Sequence, residues 1–435
     1  MTNKAAVRAW LARRNGAAFT LFASLAAFAA YSSMYGFRKP FTAAQFTGLE
    51  FFGMDYKTIV VIAQVIGYMI SKGIGIKVVS ELTSIRRPVL MLAFMGVAEA
   101  ALVLFAATPP PWNAVFLFLN GIPLGMIWGI VFGYIEGRKR TDIIALVLCS
   151  TFILASGFAK TIGKAVLNWG VSELAMPFVA GLLFALPLLG SLWMLECLPP
   201  PTDEDRALRT ERIPMGKAER RTFFLTFAPG LLLMLAAYIL LTAFRDFRDN
   251  YMADIWQTLG LGKSSAIFTS TEAPIAIGVL VVLGVLLRVR DNFKALVINH
   301  LAVLGGFAIV GSATLLYRGG VLPPVPWMAL VGFGLFLGYI PFNGVLYDRL
   351  IAVFGIKSNA GFLIYVADFF GYLASVGVLT YKSIFRKGMT HVAFFIDASY
   401  VLSAVGIVTM GCSLAYFSAR RASWRRSARS PISGT

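Results

Sequence analysis

The chain has 435 residues, of which 58% are hydrophobic and 14% charged, and its formal net charge is +18. A soluble fold of this length could not keep so much apolar surface from water, which excludes an ordinary globular domain. The positive charge carries no nucleic-acid recognition motif and is spread through short loops between apolar runs, so no nucleic-acid partner is expected. The three cysteines, Cys149, Cys197 and Cys412, are far apart, and His300 and His391 are the two histidines. Neither set has metal-ligand spacing, so no metal, cofactor or disulfide framework is expected.

Apolar segments fall at about 17–46, 57–80, 87–107, 113–135, 143–168 and 174–197, then at about 222–248, 262–287, 294–316, 325–347, 358–381 and 391–418. A run of about 20 apolar residues crosses a hydrocarbon core of about 30 Å. The pattern predicts an all-α polytopic membrane protein of about twelve transmembrane helices in two six-helix halves. The expected units are an N-terminal half over 1–198, a cytoplasmic linker over 199–221 opening on Pro199-Pro200-Pro201, a C-terminal half over 222–419 and a basic tail over 420–435.

Lysine and arginine set the expected orientation. Alternate loops and the tail carry Arg86-Arg87, Arg138-Lys139-Arg140, Arg288, Arg290, Arg420, Arg421, Arg425, Arg426 and Arg429. The other loops carry the sparser set Lys57, Arg248, Lys263, Arg318, Lys382, Arg386 and Lys387. The bias predicts both termini in the cytoplasm.

Some cations fall inside the apolar segments: Arg38 and Lys39 in the first, Lys72 in the second, Lys160 and Lys164 in the fifth, Arg245 in the seventh. A charge at a helix centre costs about 2.5–3.5 kcal/mol by insertion scales, so such residues usually face a wet cavity and serve function. Arg38 and Arg245 sit in the first helix of each half, where a two-half carrier places pseudosymmetric partners. Together they would make a bidentate clamp for a phosphate or carboxylate. The plainer reading of Arg245 is an interfacial residue, since Asp246, Arg248 and Asp249 follow it. Lys160 and Lys164 lie four apart and repel, which calls for a counter-anion, a helix carbonyl or a snorkelling side chain.

Three acids oppose these cations: Asp246, Glu272 and Asp368. They can be ion-pair partners or proton carriers, and Glu272 is read as an ion pair remade during a transport cycle. The balance leaves the interior positive, which argues for a small anionic substrate. Tyr31, Tyr35, Tyr68, Tyr339, Tyr365 and Tyr372 can offer hydroxyls to an oxygen-rich ligand, or can fill space. Leu124-Gly125-Met126-Ile127 and Leu337-Gly338-Tyr339-Ile340 open corresponding parts of the fourth and tenth segments, the weak repeat expected of a major facilitator build. With no nucleotide loop and no acid–base set, neither an enzyme nor an ATP-driven pump is expected.

Several motifs resemble the organophosphate:phosphate antiporters of the major facilitator superfamily, the group of the bacterial glycerol-3-phosphate and hexose-phosphate transporters. They are the Tyr-rich run Tyr31…Tyr35 before Arg38-Lys39, then Tyr68-x-x-Ser71-Lys72, Arg245, Lys263-Ser264-Ser265 leading to Glu272, Tyr339-Ile340-Pro341 and Gly371-Tyr372-Leu373. The resemblance implies rocker-switch exchange of an organophosphate or sugar phosphate for inorganic phosphate in a bacterial inner membrane by a monomer. It assigns the phosphate to Arg38 and Arg245, with Lys72 and Tyr68 in support. Lys160 stands where the group carries a histidine, and the loop near Glu81 lacks the usual Asp-Arg signature. The alternatives left open are proton-coupled symport of an organic anion or sugar, with Asp246, Glu272 or Asp368 carrying the proton, and a non-transporting sensor of a phosphorylated ligand.

Overall fold

The computed structural model describes residues 2–13, 16–80, 86–138, 140–202, 205, 217–354 and 360–429. Most of the expected linker, Lys139, Glu81 and the last residues of the tail therefore lie outside the described residues. Among the described residues, twelve helices are long and apolar enough to cross a membrane. Spans 1 to 6 are Ala17–Gly36, Tyr56–Ile74, Arg87–Ala107, Ala114–Ile135, Thr141–Asn168 and Met176–Glu196. Spans 7 to 12 are Phe224–Asn250, Ile267–Leu286, Asn292–Arg318, Pro324–Asn343, Leu363–Phe385 and His391–Ala422. The protein is an all-α membrane protein of two six-helix halves. Large side chains such as Leu21, Val89, Leu186 and Leu315 stand exposed on the outside of the bundle, where lipid replaces water.

The first span corrects the expected element. Its helix stops at Gly36, well short of 46, and the chain then turns through Arg38 and Lys39 into a 3-10 turn at Pro40–Ala43. Pro40 has no N–H to continue the helical ladder, while Lys39 before it keeps helical φ and ψ. The Arg38 and Lys39 amides both donate to the Tyr35 carbonyl, at 3.1 and 2.9 Å. The two cations thus sit on a broken helix end with buried side chains, not in mid-helix.

Two further breaks re-aim the helices around the centre. Pro123 lies inside the first part of span 4, Ala114–Leu124, and the second part restarts at Ile127. Span 5 divides at Ser150, whose hydroxyl donates back to the Val147 carbonyl at 2.6 Å. Between spans 1 and 2 the strands β1 (Glu50–Phe51) and β2 (Met54–Asp55) form a small hairpin. Phe52 and Gly53 both take positive φ, the combination a two-residue hairpin turn needs.

The halves meet most closely along spans 5 and 8 and along spans 2 and 11. Gly157 of span 5 makes one of these approaches possible. A β-carbon there would lie 2.8 Å from the Glu272 Cγ and 3.0 Å from the Phe268 carbonyl oxygen of span 8. Gly157→Val is expected to destabilise the closed bundle by about 1–3 kcal/mol through overpacking. Thermal unfolding in detergent reads it as a lowered midpoint, and an unchanged midpoint would mean the spans are not in contact there.

Candidate functional site

The site assembles where the broken end of span 1 meets the last turns of span 7. Its cavity is lined by Tyr35, Arg38, Lys39, Phe152, Ile153, Arg245, Asp246, Arg248, Asp249, Glu272 and Phe336. Both halves contribute, and the lining is mostly charged. Arg38 and Arg245 share it.

Arg38 is 5% exposed. Its guanidinium lies over the Tyr68 ring, 3.7 Å from the centroid. It pairs with no acid among the described residues, and its Nε has no hydrogen-bond partner. Stacking on an aromatic face suits a planar cation but leaves the N–H fork free. Arg245 has more company. It ion-pairs with Asp246 at 3.0 Å, donates to the Tyr372 hydroxyl at 3.3 Å and lies 4.4 Å from the Tyr339 ring centroid. The Tyr68 and Tyr372 rings pack edge to face at 5.2 Å, which links the two arginine cradles across the halves.

The two lysines expected beside them are engaged elsewhere. Lys39 pairs with Asp249 at 2.5 Å and donates to Asn250 at 2.8 Å. Lys160, fully buried, pairs with the other oxygen of the same carboxylate, which Ser156 also reaches. One carboxylate of span 7 therefore holds two lysines of the N-terminal half. Asp249 is the counter-anion that Lys160 calls for.

Lys72 is paired too, with Asp368 at 3.2 Å, and Asp368 also accepts from the Tyr238 hydroxyl at 2.5 Å. Tyr238 stacks on Tyr339 at 5.3 Å, and the two hydroxyls lie 3.1 Å apart. Glu272 forms an ion pair with Arg248 at 2.8 Å, both being 2% exposed. Tyr31 meets Tyr68 hydroxyl to hydroxyl at 3.4 Å and packs edge-on against Trp128 at 5.0 Å. Tyr35 lines the cavity, whereas Tyr31 stands behind it.

Three cations expected in solvent-facing loops are buried: Arg248, Lys57 and Lys382. Arg248 lies inside the bundle, because span 7 runs to Asn250. Lys57 opens span 2 and donates to the Thr42 and Ala44 carbonyls at 2.9 and 2.7 Å and to Asp254 at 2.6 Å. Burial pushes the Asp254 carboxyl above its usual range, and Lys57 opposes that shift. Sequence reasoning also passed over Asp249, Asn250 and Tyr238. The readable signal was the cluster Arg245-Asp246-Phe247-Arg248-Asp249-Asn250, whose four-residue spacings stack charges on successive turns of one helix.

The ion pairs joining Lys39, Lys160 and Lys57 to the C-terminal half lie at one end of the bundle. So do the contacts of Thr58 with Tyr251, 2.5 Å, and of Thr161 with Thr269, 2.7 Å. That end is opposite the one bearing Arg87, Arg138 and Arg288 and is sealed by these contacts. The charged interior, with Arg38, Lys39, Lys72, Lys160, Arg245 and Arg248 against Asp246, Asp249, Glu272 and Asp368, keeps an excess of two positive charges. Among the described residues no cluster of His, Cys, Asp or Glu could hold a metal ion.

Removing one partner of a buried ion pair costs about 3–5 kcal/mol, because the other charge is left uncompensated. Asp249→Asn strips both Lys39 and Lys160 at once. We expect the seal to loosen, read as faster labelling of a Thr58→Cys reporter by a membrane-impermeant maleimide. Labelling unchanged from the reporter alone would show that Asp249 does not hold the halves together.

A family model described as a family of unknown function (DUF5690) matches residues 40–420. No curated protein matches the chain. Among solved structures, the nucleoside transporter NupG aligns at 12% identity over 92% of this chain and 99% of its own, with a TM-score of 0.59. A D-xylose–proton symporter aligns at 13% identity over 91% and 96%, with a TM-score of 0.60. A structure of a proton-dependent oligopeptide transporter aligns at 14% identity over 94% and 98%, with a TM-score of 0.61. The likeness covers nearly the whole of each chain and shows the fold, that of the major facilitator transporters.

Proposed function

We propose that this chain, which belongs to the DUF5690 family of unknown function, is a secondary transporter of a small anionic solute, in first place an organophosphate or sugar phosphate exchanged for inorganic phosphate. The observation that carries the reading is Arg38: a buried guanidinium with no acidic partner among the described residues, sharing one cavity with Arg245. An unpaired buried cation is costly, and a bound anion removes that cost. Planar forks on two sides match the oxygens of a phosphate in geometry as well as charge.

In this reading the anion lies between Arg38 and Arg245, with Tyr35 and Tyr372 offering hydroxyls. Binding draws the two positive edges together and favours the sealed arrangement. Reopening breaks the contacts of Asp249 with Lys39 and Lys160 and of Asp254 with Lys57, and a counter-anion such as phosphate keeps the arginines neutralised on the return. Lys72, held by Asp368, serves the second interface between the halves, with Glu272 and Arg248 supporting the first. The sealed end faces outward and both termini face the cytoplasm, by the charge bias of the loops. The membrane is a bacterial inner membrane, and the carrier works as a monomer, by the resemblance in its motifs.

Counterflow tests the reading. Proteoliposomes preloaded with unlabelled phosphate should accumulate labelled phosphate, and sugar phosphates should compete. Arg38→Lys and Arg245→Lys should each lose at least about tenfold in rate, because a point charge cannot replace a bidentate fork, while still inserting normally. Full activity of Arg38→Lys would remove the clamp. Absence of counterflow from folded wild-type protein would remove phosphate exchange.

A further inference from the structure

The cavity lining also holds a carboxylate oxygen that no cation among the described residues reaches. Asp246 gives one carboxylate oxygen to Arg245, and its other oxygen is buried with no hydrogen-bond partner among the described residues. Asp246 is 2% exposed and lines the same cavity as Arg38. One pocket therefore presents a free donor, the Arg38 fork, and a free acceptor, the second oxygen of Asp246. A simple anion answers only the first. It also places negative charge beside the carboxylate, and it draws away Arg245, the only counter-charge that Asp246 has at hydrogen-bond distance among the described residues.

From this we infer that the solute carries an amino group beside its anionic head, as an aminoalkyl phosphate or phosphonate does. The inference rests on the anion-transport reading of the same cavity and narrows its substrate class. The phosphate takes Arg38 and Arg245, and the ammonium takes the free oxygen of Asp246. Charge then closes locally: two guanidinium groups face a dianionic head, and one carboxylate faces one ammonium. A hydroxyl can donate to the same oxygen but cannot replace the positive charge that Arg245 withdraws, and hydrogen bonds between ionised partners are roughly twice as strong as neutral ones. The other two carboxylates of the lining each already face a cation. Asp249 is held by Lys39 and Lys160, and Glu272 by Arg248.

The test compares ethyl phosphate, 2-hydroxyethyl phosphate and 2-aminoethyl phosphate for equilibrium binding to the purified full-length protein by titration calorimetry. Repeating each titration in buffers of different ionisation enthalpy reads proton uptake. The expected result is that 2-aminoethyl phosphate binds at least about tenfold tighter than ethyl phosphate, a difference of about 1.4 kcal/mol, with no proton taken up. Asp246→Asn should erase that preference, read as the ratio of the 2-aminoethyl phosphate and ethyl phosphate affinities in the variant falling to about one. Equal or weaker binding of the amino compound by the wild-type protein overturns the inference and leaves the anion reading standing. Uptake of a proton with ethyl phosphate overturns it as well, since a proton then neutralises Asp246. Failure of all three to bind to folded protein overturns the anion reading and the inference together. The wild-type comparison stands alone should Asp246→Asn fail to fold.

Discussion

A charge taken out of water has to be compensated, and the centre of this bundle is arranged by how each charge meets that demand. Lys39 and Lys160 meet it through Asp249, Lys57 through Asp254, Lys72 through Asp368 and Arg248 through Glu272. Each of these pairs reaches between helices, and all but the last join the two halves. Charge compensation and the joining of the two halves are thus the same event at one end of the molecule. Arg38 is the group left over. It has an aromatic face against it but no anion, so the arrangement lacks one negative charge at the place where the halves converge.

The geometry also separates two roles that residue type alone leaves merged. Adjacent in the chain, Arg38 and Lys39 point to different tasks: the arginine toward the cavity and Tyr68, the lysine across to Asp249 and Asn250. Both residues follow the end of the helix at Gly36, where their amides share the carbonyl of Tyr35, and Pro40, with no N–H, does not extend the ladder.

Much of this was legible in the sequence. Twelve apolar runs of membrane length fix the span count, and isolated cations inside them, Arg38, Lys72, Lys160 and Arg245, mark the interior because hydrocarbon tolerates no idle charge. The partners were less legible. Asp249, Arg248 and Asp254 follow the seventh apolar run, where hydropathy averages fall and a helix end reads as a loop. In three dimensions those residues are enclosed by spans of the other half and by neighbouring helices, which periodicity along one chain does not report. Lys57 was misplaced for the same reason at the start of span 2. Tyr238 carried no charge to draw notice, yet it holds Asp368.

The central claim is that an oxyanion fills the gap beside Arg38. A structure determined with tungstate, a tetrahedral dianion heavy enough to identify, tests it most directly. The account predicts one strong peak between Arg38 and Arg245 inside the cavity, lost in Arg38→Gln protein of unchanged thermal stability. A peak only on the exposed basic loops, or a central peak that survives Arg38→Gln, would contradict it.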